Sequence, residues 1–186
     1  MLTHRLAATL VLAGVALAGC GVQAHSQAPA ANAVSSAFRG SPAPLAALHS
    51  QANQLLGGST PAFRARMASV AGYPVVVNKW ASWCDPCQTE FPAFQKAAVA
   101  FGKQVAFIGV DGKDHDGSAT AFLARFPVTY PSYIDPAEAI ASSIKAATYY
   151  PQTVFFDRNH KIVFDHAGPY LSASALEQDI RRYALG

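Results

Sequence analysis

Val75-Val76-Val77-Asn78-Lys79-Trp80-Ala81-Ser82-Trp83-Cys84-Asp85-Pro86-Cys87-Gln88-Thr89-Glu90-Phe91-Pro92 runs from a β-branched apolar segment, through two cysteines, into residues with helical spacing. An apolar run without polar alternation suits a strand covered on both faces, as in a sheet with helices on each side. Beyond Cys87, residues Phe91, Phe94, Ala98 and Phe101 recur at intervals of three and four, the buried stripe of a helix that Pro92 should kink. The cysteine pair therefore stands at a strand-to-helix junction. There the sulfur of Cys84 meets the positive end of the helix dipole and unpaired backbone N–H groups, both of which favour the thiolate. Because the thiolate is the nucleophile in disulfide exchange, Cys84 is the expected attacking residue and Cys87, one turn inside, the resolving one. Pro86 fits an early helical position, where its missing N–H is no loss.

Other uses of the pair are weaker. A metal site needs two more soft or imidazole ligands, and the sequence has no second C-x-x-C and no H-x-x-x-H. A purely structural bridge between such close neighbours closes too short a loop to stabilise much. A copper-delivery protein remains a third reading, disfavoured by the tight spacing. His115, His160 and His166 are separated and lack ligand spacing, and Asp111, Asp114 and Asp116 around His115 read as an exposed polar turn after a buried strand.

Upstream, residues 45–56 carry apolar positions at helical spacing until Gly57-Gly58, and a second short helix starts near Pro61 with Thr60 as its cap. Downstream, the pattern predicts strands over 105–110, 130–134, 153–156 and 162–165, with helices over 118–126 and 136–145. Asp157-Arg158-Asn159-His160 has the composition of a hairpin turn, and Ser174 with Glu177 has capping-box spacing for a last helix. Helices and strands alternate until the final hairpin, which means an α/β sandwich around a mixed sheet.

The whole chain has 186 residues, 51% of them hydrophobic, enough for one ordinary domain and an appendage. A net charge of +3 without Lys/Arg clusters argues against nucleic acid as a partner. Of the three cysteines, Cys20 stands alone. Arg5 and the apolar run 6–18 have the layout of an export signal, too short to remain as a membrane-crossing helix. The run ends in Leu17-Ala18-Gly19-Cys20, which resembles the bacterial lipoprotein signal and would make Cys20 the lipidated first mature residue. Residues 1–19 are thus expected to be a signal peptide and 20–44 the anchor cysteine with a flexible tether of Ala, Ser, Gln, Gly and Pro.

The stretch from Val75 to Pro92 is similar to the active-site segment of TlpA/ResA-like thioredoxin-fold oxidoreductases. The likeness continues through Phe126-Pro127-Val128-Thr129-Tyr130-Pro131, Asp135-Pro136 and Tyr150-Pro151-Gln152-Thr153-Val154-Phe155-Phe156-Asp157. It implies a thioredoxin-like α/β domain over 45–186, with a mixed central sheet flanked by helices and an inserted αβ element after the second core strand. It further implies that Pro151 is cis and faces the disulfide, leaving the backbone of Tyr150 open to an incoming peptide. Glu90 matches an acidic residue able to exchange a proton with Cys87, against the plainer reading of a solvent-facing helix carboxylate. Asn78 stands where ordinary thioredoxins carry a buried aspartate. Trp83 would shield the disulfide or pack in the core, and Asp85, beside Cys84, would oppose the helix dipole and make the thiol less acidic.

By the same resemblance no cofactor is needed beyond the Cys84–Cys87 disulfide. The implied partners are thiols and disulfides of exported proteins, apocytochrome c among them, and a membrane electron donor. The expected function is disulfide reduction at the extracytoplasmic face of a bacterial membrane, with net disulfide oxidation as the alternative.

Overall fold

The computed structural model describes residues 29–186. The expected signal peptide and Cys20 lie outside them. The strand predicted from Val75-Val76-Val77 is β2 (Val75–Trp80), buried at every position. Its side chains alternate between two cores. Val76 and Trp80 join Cys87, Phe91, Phe94, Phe155 and Leu176 on one face, while Val75 and Val77 join Leu45, Phe63, Ile108 and Ile140 on the other. Both faces exclude water, which is why this strand tolerates almost no polar alternation.

Around it stand β1 (Leu55–Leu56), β3 (Ala106–Gly112), β4 (Ser132–Asp135), β5 (Gln152–Phe156) and β6 (Ile162–Ala167), in the order β1-β4-β3-β2-β5-β6. The pairs β1–β4, β4–β3 and β3–β2 are parallel; β2–β5 and β5–β6 are antiparallel. The sheet is therefore mixed, flanked by α2 (Ala43–His49), α3 (Thr60–Ser69), α4 (Asp85–Phe101), α5 (Asp116–Arg125), α6 (Ala139–Ser143) and α7 (Ala173–Asp179), which passes into a π-helical turn at Ile180–Ala184. This is the thioredoxin-like α/β architecture, with α5 and β4 as the αβ element that follows β3 and places β4 between β3 and β1. α4 runs through Pro92 as one helix.

Several local expectations are corrected. The helix read over 45–56 stops at His49, and Leu55 instead pairs with Ser132 at the sheet edge. Asn53 is the reason. It adopts a left-handed φ of 60°, donates its backbone N–H to Tyr130, and uses its side chain to bridge the Leu123 carbonyl and the Val128 N–H. Those tertiary bonds turn the chain away from the helix axis. Part of the expected tether is also ordered, as α1 (Ala31–Phe38), whose last residue stacks on His49 with ring centroids 3.7 Å apart. Its one large aromatic found a partner that composition cannot reveal. The caps of α3 and α7 are Ser59 and Ser172, one and two residues earlier than expected, each accepting an N–H three residues on.

Candidate active site

The loop after β2 delivers Cys84 to the N-terminus of α4, where it is the N-cap residue with extended backbone angles. Its sulfur accepts the Cys87 N–H at 3.2 Å, so one of the helix's free donors points at the sulfur that would carry charge. Cys84 and Cys87 are joined in a disulfide. Both are covered, Cys84 at 3% exposure and Cys87 at 0%, so the difference in access is smaller than the sequence suggests. Asp85 and Pro86, the next two residues, are exposed in the first helical turn.

Trp83 lies outside the core, 54% exposed, with its indole N–H donated to the Lys113 carbonyl at 3.0 Å. Its ring sits 4.7 Å from that of Tyr150. The Tyr150–Pro151 bond is cis and leads directly into β5. Pairing of Gln152 with Lys79 in β2 brings this turn to the strand end that precedes the disulfide. Tyr149, the residue before Tyr150, is also 54% exposed.

Glu90 is fully buried on α4, one turn after Cys87, which excludes the solvent-facing reading. Its two oxygens accept from Asn78 Nδ2 at 2.6 Å and from the Tyr170 N–H at 3.2 Å. Burial pushes its carboxyl up to about 8, against the pull of those two donors. A carboxylic acid that titrates near neutrality one helical turn from Cys87 has the acidity a general acid or base needs.

On the opposite face of β2, Lys79 is a buried lysine paired with Glu138 at 2.6 Å. Glu138 also meets Lys113 at 2.8 Å and accepts the Tyr150 hydroxyl at 2.6 Å. Burial works to raise the Glu138 carboxyl, but these partners outweigh it and hold it at about 2. Burial in turn pulls the Lys79 ammonium down, with Glu138 opposing.

Asp111, inside β3, and Asp114, in the loop after it, do not form the exposed turn expected of them. Asp111 is 0% exposed, and burial together with the charges of Asp114, Asp116 and Asp135 pushes its carboxyl up to about 9. Asp114 is 4% exposed and accepts the backbone N–H groups of Ser82 and His115, bonds that outweigh its burial and hold it below the usual carboxylate range. It therefore fastens the loop that carries Trp83 and Cys84.

A family model described as the AhpC/TSA family matches residues 50–165. The chain belongs to the AhpC/TSA family. Within the family it is 33% identical over 101 residues to the thiol:disulfide interchange protein DsbE homolog of Paracoccus denitrificans (strain Pd 1222), a match covering 50% of each chain. It is 25% identical over 119 residues to the thiol-disulfide oxidoreductase ResA of Geobacillus kaustophilus (strain HTA426), covering 63% of this chain and 65% of that one. The chain thus spans half to two thirds of the length of these curated relatives. Among solved structures, a thiol:disulfide interchange protein DsbE from Chlorobium tepidum superposes with a TM-score of 0.56 at 30% identity, over 64% of this chain and 85% of that chain. The TlpA/ResA-like resemblance read from the cysteine segment agrees with all three.

In this AhpC/TSA-family chain, sequence reasoning missed Lys79 and Glu138 altogether. One signal was available: a lysine inside an otherwise apolar strand is costly unless paired. The histidines do not converge. His115 is exposed, His160 reaches the Tyr73 carbonyl, and His166 stacks on Tyr170. Among the described residues no three His, Cys, Asp or Glu side chains are grouped to hold a metal ion, and no helix is long and apolar enough to cross a membrane.

Proposed function

We propose that this chain is a thiol–disulfide oxidoreductase that reduces disulfides of exported proteins at the extracytoplasmic face of a bacterial membrane. The observation that carries the reading is the Cys84–Cys87 disulfide at the start of α4, with the Cys84 sulfur accepting the Cys87 N–H. In the reduced enzyme the Cys84 thiolate attacks one sulfur of a substrate disulfide, forming a mixed disulfide and releasing the other substrate sulfur as thiolate. The ionised form of Glu90, the minority form below about 8, takes the Cys87 proton, and the Cys87 thiolate attacks the Cys84 sulfur. The Cys84–Cys87 bond forms, the bond from Cys84 to the substrate breaks, and two electrons have passed to the substrate. A membrane electron donor returns the pair to the dithiol. Trp83 and Tyr150 flank the reacting sulfurs and contact the bound chain.

The deciding experiment is a redox titration of the Cys84–Cys87 pair against glutathione and dithiothreitol. A potential near about −270 mV is expected for a reductant, whereas one near about −120 mV would make the protein an oxidant and overturn the reading. Asp85 contributes to that value. A carboxylate next to Cys84 opposes the helix dipole and destabilises the thiolate, so Asp85→Asn should lower the Cys84 thiol pKa. A more stable reduced form shifts the potential to more positive values, by less than about 30 mV where little thiolate is present at the assay pH. A higher thiol pKa in Asp85→Asn, followed by thiolate absorbance, would show that the side chain acts through local structure and not charge.

Membrane attachment is assigned to a lipid on Cys20. Cys20→Ser should move the protein from the detergent phase to the aqueous phase on partitioning. Retention of the variant in the detergent phase would remove the lipid from the account.

A further inference from the structure

We propose that Lys79, Glu138 and Lys113 form a latch that positions Tyr150 for disulfide-bearing protein substrates. The proposal rests on the oxidoreductase reading and adds positioning residues to it. Tyr150 is held from three directions: its hydroxyl donates to Glu138 at 2.6 Å, the Lys79 ammonium lies 3.6 Å from its ring centroid, and the Trp83 ring packs at 4.7 Å. A side chain at Gly112 would collide with that hydroxyl, so only glycine leaves room for it at the end of β3. Lys113 then completes the circuit, pairing with Glu138 through its ammonium and accepting the Trp83 indole through its carbonyl.

Two features mark this as a constrained assembly and not an incidental ion pair. Glu138 and Lys113 both lie in the left-handed region, at φ 54° and 52°, which side-chain-bearing residues seldom adopt unless their surroundings impose it. Lys79 is fully buried on a strand of mostly apolar residues. A methionine there would fill similar space without desolvating an ammonium, so the charge contributes geometry where an apolar residue would do as well for stability. The start of α6, through Glu138, is thereby tied to the residue that precedes cis-Pro151. Releasing the latch frees Tyr150 relative to Trp83 and Cys84. A protein substrate that lies along this ledge feels the change; a small disulfide that reaches the Cys84 sulfur directly does not.

The test compares reduction of insulin with reduction of dithiodipyridine, using protein recycled by dithiothreitol, in wild type, the double variant Lys79→Met/Glu138→Leu and Glu138→Gln. The double variant removes both buried charges together, so neither is left unpaired, and its folding is checked by thermal unfolding. Its KM for insulin should rise about tenfold with kcat within about twofold, the loss expected when a hydrogen bond to a charged group stops holding a binding surface. Dithiodipyridine reduction should stay within about twofold of wild type. Glu138→Gln keeps an oxygen for the Tyr150 hydroxyl and should lose less on insulin, about threefold. A folded double variant with wild-type insulin KM overturns the latch, as does an equal loss on both substrates. Wild type inactive on both substrates would instead sink the oxidoreductase reading beneath it.

Discussion

Replacing Cys87 with serine is expected to convert a turning-over enzyme into a trap that accumulates disulfide-linked complexes with its substrates, while Cys84→Ser accumulates none. The asymmetry follows from the helix terminus. Cys84 is the N-cap residue of α4, and its sulfur receives the N–H of residue 87, so negative charge there is stabilised by a donor and by the dipole. Cys87 sits one turn inside at 0% exposure, against 3% for Cys84, so in the proposed mechanism it follows Cys84 in the exchange. Without Cys87, the mixed disulfide lacks its intramolecular attacker, whose effective concentration far exceeds that of free thiols. Non-reducing gels of each variant incubated with exported proteins, run with and without dithiothreitol, read the result. Trapping by Cys84→Ser and not by Cys87→Ser would reverse the assignment.

Glu90→Gln should flatten the pH dependence of stability and slow the resolving step on the order of a hundredfold, a typical contribution of general acid–base catalysis. The Glu90 carboxyl is raised from 4.5 to about 8, chiefly by burial, so between those values the folded protein holds a proton that the unfolded chain has released. The folded state then binds more protons than the unfolded state, and stability falls as pH rises through the window before levelling above it. At about 1.4 kcal/mol per pH unit for one proton, the fall attributable to Glu90 is on the order of 5 kcal/mol. Glutamine has no proton to lose. It does forfeit one of the two hydrogen bonds from Asn78 and Tyr170, which costs about 1 kcal/mol at low pH, so the variant starts below wild type and ends above it. Asp111, raised to about 9, tilts both proteins in the same sense and cancels in the difference. Denaturant unfolding of both proteins from pH 5 to pH 9 reads this directly. Parallel curves would show that Glu90 is ionised throughout and that burial does not raise its carboxyl toward neutrality.

Where apolar pattern and local chemistry act together, sequence sufficed. β2 was legible because a run of valines needs cover on both faces, and α4 because Phe91, Phe94, Ala98 and Phe101 fall on one side of a helix. The pairing of Cys84 with Cys87 needs only one helical turn. Failures came where a distant partner overrode a local preference. Leu55 and Leu56 have helical spacing with Leu45 and Leu48, yet Asn53 bonds to residues 70 and 75 positions away and draws them onto β4.

The same division runs through the candidate site. Cysteine spacing, a helix start and the β-α alternation are properties of neighbouring residues, so the chain's sequence determines them unaided. Whether a polar side chain is a solvated surface group or a buried functional one depends on what folds over it. Glu90, Asp111 and Lys79 look alike in sequence as charged residues. Only the tertiary structure buries Glu90 and Asp111 enough to raise their carboxyls toward neutrality or above, and only it brings Glu138 across 59 residues to pair with Lys79. The reason is that desolvation and charge pairing depend on distance in space, which the order of residues along the chain does not record.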